Sequence, residues 1–251
     1  KQTPDYFKMP AFHSGDANFR IKTKSGGIIK YYTTISQGQL GLRRPDIDSA
    51  ILKNAFGINN FNWYNNLSWR ENLGKGWKMN LGMGYSTNHD KITNELQDAN
   101  NTPVSLSGLP WIIKNYKLKR REDLSQVRGV FEKRLFGIST IRFGSEYWHA
   151  CNSSGYNGYD TVLKDNYAAV FAETDIYVTN DIALKAGGRY EYSSIIKKAN
   201  IAPRLSLAYK TGPGAQVSVA YGEFYQKPEN QQLILSNRLG YTKATHYIAN
   251  Y

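Results

Sequence analysis

The amino-acid sequence predicts an all-β fold, an antiparallel up-and-down meander of about eleven strands that forms part of a transmembrane β-barrel. Three observations lead to this fold class. Apolar and polar residues alternate with a period of two, as in the segment from Trp77 to Tyr85. Short and long links follow one another along the chain. The composition, with 19 Tyr and 22 Gly among 251 residues, favours strands and turns over helices.

Each predicted strand is a segment with this alternation. The segments are residues 16–24, 28–42, 59–71, 77–89, 120–135, 138–149, 166–178, 182–194, 200–210, 215–226 and 241–251. Most are longer than the five or six residues that are usual for a strand in a globular protein. No segment shows the period of a helix, so we expect strands and links alone.

The links between the strands are sorted by length. The tight links are 25–27, 73–76, 136–137, 179–181 and 211–214, the link 195–199 is moderate, and the long links are 43–58, 90–118, 150–165 and 227–240. Only Pro203 among the eight prolines falls within a predicted strand. All tight turns therefore lie at one end of the meander, which is typical of a transmembrane barrel with short turns on one side and long loops on the other.

The composition excludes several classes of protein. The longest apolar run, residues 167–172, is far below the roughly 18 residues of a membrane helix. Residues 1–10 are polar and resemble no secretion signal, so a mature chain and an excised piece both remain open. Cys151 is the only cysteine and the four histidines are far apart, so we expect no disulfide, no metal site and no cofactor. The net charge of +12 suits a phosphate-rich partner, either nucleic acid or an anionic membrane surface.

The register of each hairpin can be tested, because facing residues share one side of a sheet. A turn at Gly137 gives four matched pairs: Phe131 with Phe143, Val127 with Tyr147, Glu132 with Arg142 and Arg128 with Glu146. A turn at 179–181 pairs Ile176 with Leu184, Val170 with Tyr190 and Asp175 with Lys185. A turn centred on residue 73 pairs Trp69 with Trp77, Leu67 with Met79 and Phe61 with Tyr85.

These registers predict two different faces. We expect a lipid-facing side with aromatic residues at both ends of an apolar band, where amphipathic rings lie at headgroup level. It comprises Phe61, Trp69, Trp77, Leu81, Tyr85, Phe143 and Tyr190. The opposite side faces a wet lumen and comprises Arg128, Glu132, Arg142, Glu146, Lys185, Arg189 and Glu191, as structural residues of the wall. Asn65 interrupts the apolar side without an evident reason.

The second half of the chain resembles the barrel of TonB-dependent outer-membrane receptors. The resemblance rests on "YAAVFAETDIYVTNDIALKAGGRYEY" (167–192), "NIAPRLSLAYK" (200–210), "VSVAYGEFYQKPEN" (217–230) and "YTKATHYIANY" (241–251). Residues 16–150 share the pattern of strands and turns. The resemblance implies a 22-stranded barrel, of which this chain would be an internal fragment without the plug domain or the TonB box.

That resemblance also implies a function. The chain would supply barrel wall and extracellular loops of a transporter that imports a scarce nutrient, of the siderophore, corrinoid or glycan class, across the bacterial outer membrane. The implied partners are outer-membrane lipid and lipopolysaccharide, the remainder of the barrel and the plug, the TonB complex, and a small-molecule or glycan ligand. No enzyme activity and no nucleic acid partner are expected. The alternative is a self-contained barrel of ten to twelve strands that acts as a passive channel or an adhesin.

Four local features carry competing interpretations. Trp111, Trp148, Tyr156 and Tyr159, in or beside long loops, are either ligand-gripping aromatics or interfacial anchors. The basic run 117–121 favours lipopolysaccharide phosphates over nucleic acid, since no aromatic stacking platform accompanies it. Gly82 and Gly84 are small residues of a strand and not a phosphate loop.

The fourth feature is a group of polar residues near one loop. His149 with Ser153 or Ser154, near Asp160, would make a membrane-embedded hydrolase only if the histidine were hydrogen-bonded to a serine. Barrel loops are rich in Ser and Asp, so we favour a histidine at the rim of the barrel.

Overall fold

The chain folds as one antiparallel sheet of 11 strands that follow one another in sequence order. The computed structural model describes residues 5–235 and 239–251. The strands are β1 Asp5–Lys22, β2 Ile28–Pro45, β3 Lys53–Gly74, β4 Trp77–Gln97, β5 Tyr116–Arg134, β6 Thr140–Tyr156, β7 Tyr159–Tyr177, β8 Ile182–Ser193, β9 Lys198–Gly212, β10 Ala215–Gln226 and β11 Thr242–Asn250. The predicted all-β meander is confirmed.

Two short helical segments were not expected from the sequence. A single turn of 3₁₀ helix spans Trp111–Ile113, and α1 spans Asn230–Leu235. Both lie in long links, where six residues or fewer are too short to show a helical period. No helix of the described residues is long and apolar enough to cross a membrane.

The largest errors in the predicted strands lie at the ends away from the tight turns. The segment 150–165, expected to be a long loop, continues β6 and β7 to a two-residue turn at Asn157 and Gly158. Both turn residues have positive φ, 50° and 90°. That geometry belongs to a type I′ hairpin, for which Asn-Gly is the strongest sequence signal. The turn signal is thus present in the sequence, within the segment that was predicted to be a long loop.

Proline also lies within strands more often than expected. Pro10 is in the edge strand β1 at an irregularity between Lys8 and Ala11, and Pro45 is the last residue of β2. An edge strand tolerates proline at such a position because the missing N–H is not needed for pairing.

The predicted register is confirmed for two hairpins. Phe131 faces Phe143 and Glu132 faces Arg142 across β5 and β6, while Ile176 faces Leu184 across β7 and β8. The remaining predicted pairs of these hairpins also face each other: Val127 and Tyr147, Arg128 and Glu146, Val170 and Tyr190, Asp175 and Lys185.

The predicted register of β3 and β4 is wrong. Trp69 faces Leu81, not Trp77, because the turn lies further along the chain. Lys75 and Gly76 form the turn with φ of 48° and 79°, and Gly74 adds an irregularity with φ of 81°. Phe61 accordingly faces His89 and Leu67 faces Met83. Each partner changes by an even number of residues, so every side chain stays on its predicted side of the sheet.

Burial in this sheet is the reverse of burial in a soluble protein. Along β7, Asp165, Tyr167 and Ala169 are buried, whereas Val170 on the other side is 54% exposed. Ile201 on β9 is 64% exposed and Leu96 at the end of β4 is fully buried. The side that carries most of the charges is thus crowded, and the apolar side is open.

The sheet has two open edges. Among the described residues, β1 pairs only with β2 and β11 only with β10. A self-contained barrel would require β1 and β11 to pair with each other, so the sheet as described is not a closed barrel.

An ion cluster ties two long links together at the end away from the tight turns. The Asp46 side chain is fully buried and accepts hydrogen bonds from Lys114 Nζ at 2.6 Å, from the Asp48 amide at 2.8 Å and from Asn54. Burial raises the pKa of Asp46, but these bonds outweigh it and hold the pKa below its usual range. Desolvation likewise opposes the charge of Lys114, yet Asp46 and Asp48 raise its pKa.

The two shifts define a pH window for this cluster. The contribution of Asp46 is complete above its ordinary pKa of 3.8 and is lost as the pH falls through its lowered pKa. The contribution of Lys114 is complete below its ordinary pKa of 10.5 and is lost as the pH rises through its raised pKa.

A spin label at the exposed position Ile51, in a Cys151→Ser background, should stay immobile between about pH 4 and 10. It should become mobile outside that range, and Lys114→Met should free it at every pH. Equal mobility of the two proteins at pH 7 would contradict the role of the cluster.

Close approach of backbones makes one glycine of β6 irreplaceable. A Cβ at Gly144 would overlap the Gly129 carbonyl oxygen and lie 2.8 Å from Phe171 Cζ. Gly144→Ala should destabilise the folded sheet by about 1–3 kcal/mol, because the backbone cannot yield. Gly82→Ala is the matched control, since a Cβ there meets nothing within 4 Å. Urea titration in lipid vesicles measures both, and equal midpoints would contradict the expectation.

Candidate functional site: the polar face of the sheet

The polar face is the side of the sheet that bears the even-numbered residues of β2 to β6 and their cross-strand partners. Continuous pairing from β5 to β8 places every predicted lumen-facing residue on it. These residues are Arg128, Glu132, Arg142, Glu146, Lys185, Arg189 and Glu191.

One row of alternating charges crosses four strands of the polar face. Glu132 accepts from Lys78 Nζ at 3.1 Å and from Arg142 Nη2 at 2.8 Å. Arg142 Nη1 then reaches Glu173 at 2.8 Å on β7. Each pair is partly exposed and contributes roughly 0.2–1 kcal/mol at most. Both cations of this row, Lys78 and Arg142, are therefore paired with carboxylates and are not free to bind a ligand.

A second cluster centres on Arg189. Its guanidinium contacts Glu146 at 3.2 Å, Glu191 at 3.1 Å and the Tyr167 hydroxyl at 2.8 Å. Tyr167 also donates a hydrogen bond to Glu191 and stacks on Trp148 with ring centroids 4.6 Å apart. The cluster joins three strands, β6, β7 and β8, and fixes the Trp148 ring against the sheet.

The link after β10 is held against this cluster by a buried carboxylate. Asp165 accepts from Lys227 Nζ at 2.8 Å, from Ser193 Oγ at 2.8 Å and from the Ile195 amide at 3.2 Å. The Lys227 ammonium also lies 4.8 Å from the centroid of the Trp148 indole. Lys227, the first residue after β10, therefore lies over the polar face. The sequence does not predict this contact, because nothing local connects residues 62 positions apart.

A second part of the polar face is uncharged. We call it the amide–hydroxyl strip: Thr34, Ser36, Asn60, Asn62, Tyr64, Asn66, Ser68, Ser86 and Asn88. Pairing makes it continuous over β2, β3 and β4, since Ser36 faces Asn62 and Asn62 faces Asn88. All nine side chains are intermediate in exposure. The alternation of amides and hydroxyls with other residues over 60–68 is visible in the sequence and is the local signal for this strip.

The apolar face lies on the other side of the sheet. It carries the whole predicted lipid-facing set: Phe61, Trp69, Trp77, Leu81, Tyr85, Phe143 and Tyr190. Aromatic rings meet near the tight turns, where Phe143 packs edge-on against Trp77 at 6.1 Å. Others meet further along the strands, where Trp63 packs against Tyr85 at 5.8 Å. Aromatic contacts thus occur at two levels of the apolar face.

Asn65, which interrupts the apolar face, has a partner. The Tyr31 hydroxyl donates a hydrogen bond to Asn65 Oδ1 at 2.7 Å. This bond satisfies the amide oxygen, while the Asn65 Nδ2 atom is buried without a hydrogen-bond partner among the described residues.

The predicted ligand-binding aromatics do not share one loop. Trp148 is within β6, stacked on Tyr167, and Tyr156 and Tyr159 flank the tight turn at the end of β6 and β7. Trp111 lies in the 3₁₀ turn, with Lys114 Nζ 4.8 Å from its ring centroid. Trp148 is in a strand, as predicted, but the expected loop placement of Tyr156 and Tyr159 is wrong, because β6 and β7 extend through the segment assigned to the loop.

The residues of the hydrolase interpretation do not assemble. His149 Nδ1 lies 2.7 Å from Asn166 Oδ1 instead of meeting a serine. Ser153 faces Arg121 across β5 and β6, and Asp160 faces Gly155 across β6 and β7. Ser154 lies on the polar face, the opposite side of the sheet from His149.

The basic run 117–121 divides between the two faces. Lys117, Lys119 and Arg121 lie on the side of the apolar face, beyond Tyr85, and Lys119 faces Lys91 directly. The side chains of Lys91, Lys117, Lys119 and Arg121 are exposed. Like charges directly opposite each other are unfavourable in a sheet unless an anion compensates them.

An antiparallel meander with an exposed apolar face and a crowded polar face defines the wall of a transmembrane β-barrel. A model of the family described as "TonB dependent receptor-like, beta-barrel" matches residues 10–250. The chain belongs to this family of TonB-dependent receptor barrels and lies in the bacterial outer membrane. No curated protein matches the chain significantly.

Two solved structures are similar to the chain. The outer membrane transporter YddB from Escherichia coli is 13% identical with a TM-score of 0.46, over 86% of this chain and 38% of that one. The translocator domain of the autotransporter NalP from Neisseria meningitidis is 9% identical with a TM-score of 0.35, over 84% of this chain and 80% of that one. The chain thus spans 38% of the length of the transporter.

Adjacent residues of β4 allow the surroundings of the two faces to be compared. Gly82→Cys on the polar face should react with a water-soluble maleimide, because water reaches it, and Met83→Cys on the apolar face should not. Both variants are made in a Cys151→Ser background and tested in intact membranes, then in urea, where both should react. Faster labelling of Met83→Cys than of Gly82→Cys in intact membranes would reverse the assignment of the faces.

Proposed function

We propose that this chain supplies barrel wall and extracellular links of a TonB-dependent transporter that imports a scarce nutrient. The observation that carries the proposal is the inverted burial of the sheet. Its charged side is crowded and internally paired, as at Arg189, while apolar side chains such as Val170 are open. Lipid on one side and a wet passage on the other is the arrangement that suits both faces.

In this proposal the predicted site residues have structural roles. Phe61, Trp69, Trp77, Leu81, Tyr85, Phe143 and Tyr190 contact lipid. Arg128, Glu132, Arg142, Glu146, Lys185, Arg189 and Glu191 line the lumen. Opposite charges pair across the strands of the lumen wall, because Glu132, Glu146 and Glu173 each accept a hydrogen bond from a cation of another strand.

The remaining partners follow from the edges of the sheet and from its basic rim. The free edges of β1 and β11 would pair with the remainder of the barrel, since unpaired strands cannot border lipid. A plug would fill the lumen and connect to the TonB complex. Lys91 and Lys119 lie just beyond the apolar band, where the phosphates of lipopolysaccharide would compensate their repulsion.

Nutrient uptake by whole cells tests the function. Cells that express the complete receptor should accumulate a radiolabelled nutrient from a panel of siderophore, corrinoid and glycan compounds. Uptake should fall at least about tenfold when TonB is absent, because the energy of import comes through that complex. The matched control is the same receptor without its plug, which should leak small solutes with or without TonB. Equal uptake with and without TonB by the intact receptor would favour the alternative of a passive channel.

A further inference from the structure

We propose that the amide–hydroxyl strip binds a neutral, hydroxyl-rich ligand, namely an oligosaccharide. The inference rests on the proposed transport function and names the substrate class. The strip differs from the rest of the polar face in one respect: its nine side chains include no charge, whereas β5 to β8 carry ion-paired Arg and Glu side chains.

The strip has hydrogen-bonding capacity to spare. At the end of the strip away from the tight turn, Asn60 donates hydrogen bonds to Asn88 at 3.0 Å and to Asp90 at 2.6 Å. Asn66 donates to the Tyr64 hydroxyl at 2.8 Å. Among the described residues, the remaining side chains of the strip have no hydrogen-bond partner, and they are Thr34, Ser36, Asn62, Ser68 and Ser86. Each offers both donors and acceptors, as does each hydroxyl of a sugar.

Aromatic rings border the same surface. Tyr32 lies on the polar face beside Asn66, and its ring centroid is 6.1 Å from that of Tyr64. Phe12 on β1 is 69% exposed and lies over Gly38, next to Asn60. The apolar C–H groups of a sugar ring can pack on the electron-rich face of such rings. Aromatic faces beside amides and hydroxyls are the two kinds of contact that a pyranose requires.

The length of the strip favours an oligomer over a single sugar. From Ser68 to Asn60 the strand rises about 26 Å, at roughly 3.3 Å per residue. The strip begins several residues beyond the tight turn at Lys75 and Gly76 and continues toward the long links. A chain of sugars entering from the side of the long links would therefore meet it lengthwise.

Charge separates this ligand from ferric siderophores. A ferric siderophore complex with carboxylate or catecholate groups is anionic and would be recognised by Arg or Lys, as oxyanions generally are. The nine side chains of the strip include no cation, although Lys30 lies on the same face opposite Ser68. Arg142 and Arg189, further along the polar face, are paired with carboxylates. A site built from hydroxyl-binding groups instead discriminates strongly against ligands that leave those groups unpaired.

The test compares two asparagines of the polar face in the full-length receptor. Asn62 is inside the strip and Asn80 is on the same face outside it, and neither side chain is hydrogen-bonded to the described residues. The probes are neutral glucan, mannan and xylan oligosaccharides and, in parallel, ferric citrate and a ferric catecholate. Asn62→Leu should weaken binding of the preferred oligosaccharide at least about tenfold, Asn62→Gln should restore part of it, and Asn80→Leu should leave it unchanged.

Each other result would overturn the inference in a recognisable way. TonB-dependent uptake of a ferric complex without binding of any oligosaccharide would refute the substrate class and leave the transporter function standing. Absence of TonB-dependent uptake for every probe would refute both. Unchanged oligosaccharide affinity in Asn62→Leu, together with a lower melting temperature of the receptor, would assign the strip to contact with the plug. Retention of the folded band on unheated gels shows that each variant is assembled.

Discussion

The antiparallel hydrogen-bond ladder is the interaction on which the rest of this structure depends. It runs without interruption from β1 to β11, with irregularities confined to β1, to the turn at Gly74 and to the start of β10. In lipid no water is present to satisfy a free N–H or C=O, so each strand must pair along its full length. Such pairing fixes which side chains share a face, because successive residues point to opposite sides.

Once the ladder fixes the faces, the cost of charge determines where the ionic residues can lie. An Arg or Lys at the middle of a lipid-facing surface would cost about 2–4 kcal/mol, whereas on the polar face of this sheet it can pair with a carboxylate of another strand. The row from Lys78 to Glu173 pairs between neighbouring strands, and Arg189 on β8 reaches Glu146 on β6. These contacts add little net stability, since partly exposed pairs contribute weakly.

The hairpins show why local signals sufficed in some places and failed in others. Around Gly137 four pairs of matched character agreed on one register, and the structure has that register. Around residue 73 the choice lay between turns that differ by an even number of residues. Alternation cannot separate such turns, and the positive φ of Lys75 decided it. At Asn157 and Gly158 a strong hairpin signal lay within a segment assigned to a loop, so strand ends were underestimated there.

The sequence by itself determined the strand class, the two faces and the family resemblance, because alternation and turn residues act over a few neighbouring positions. Tertiary structure alone decided which residues meet across several strands. Trp148 packs on Tyr167, and Asp165 holds Lys227 from a link far along the chain. The amide–hydroxyl strip likewise exists only when three strands are aligned, since its continuity depends on register and not on any one segment.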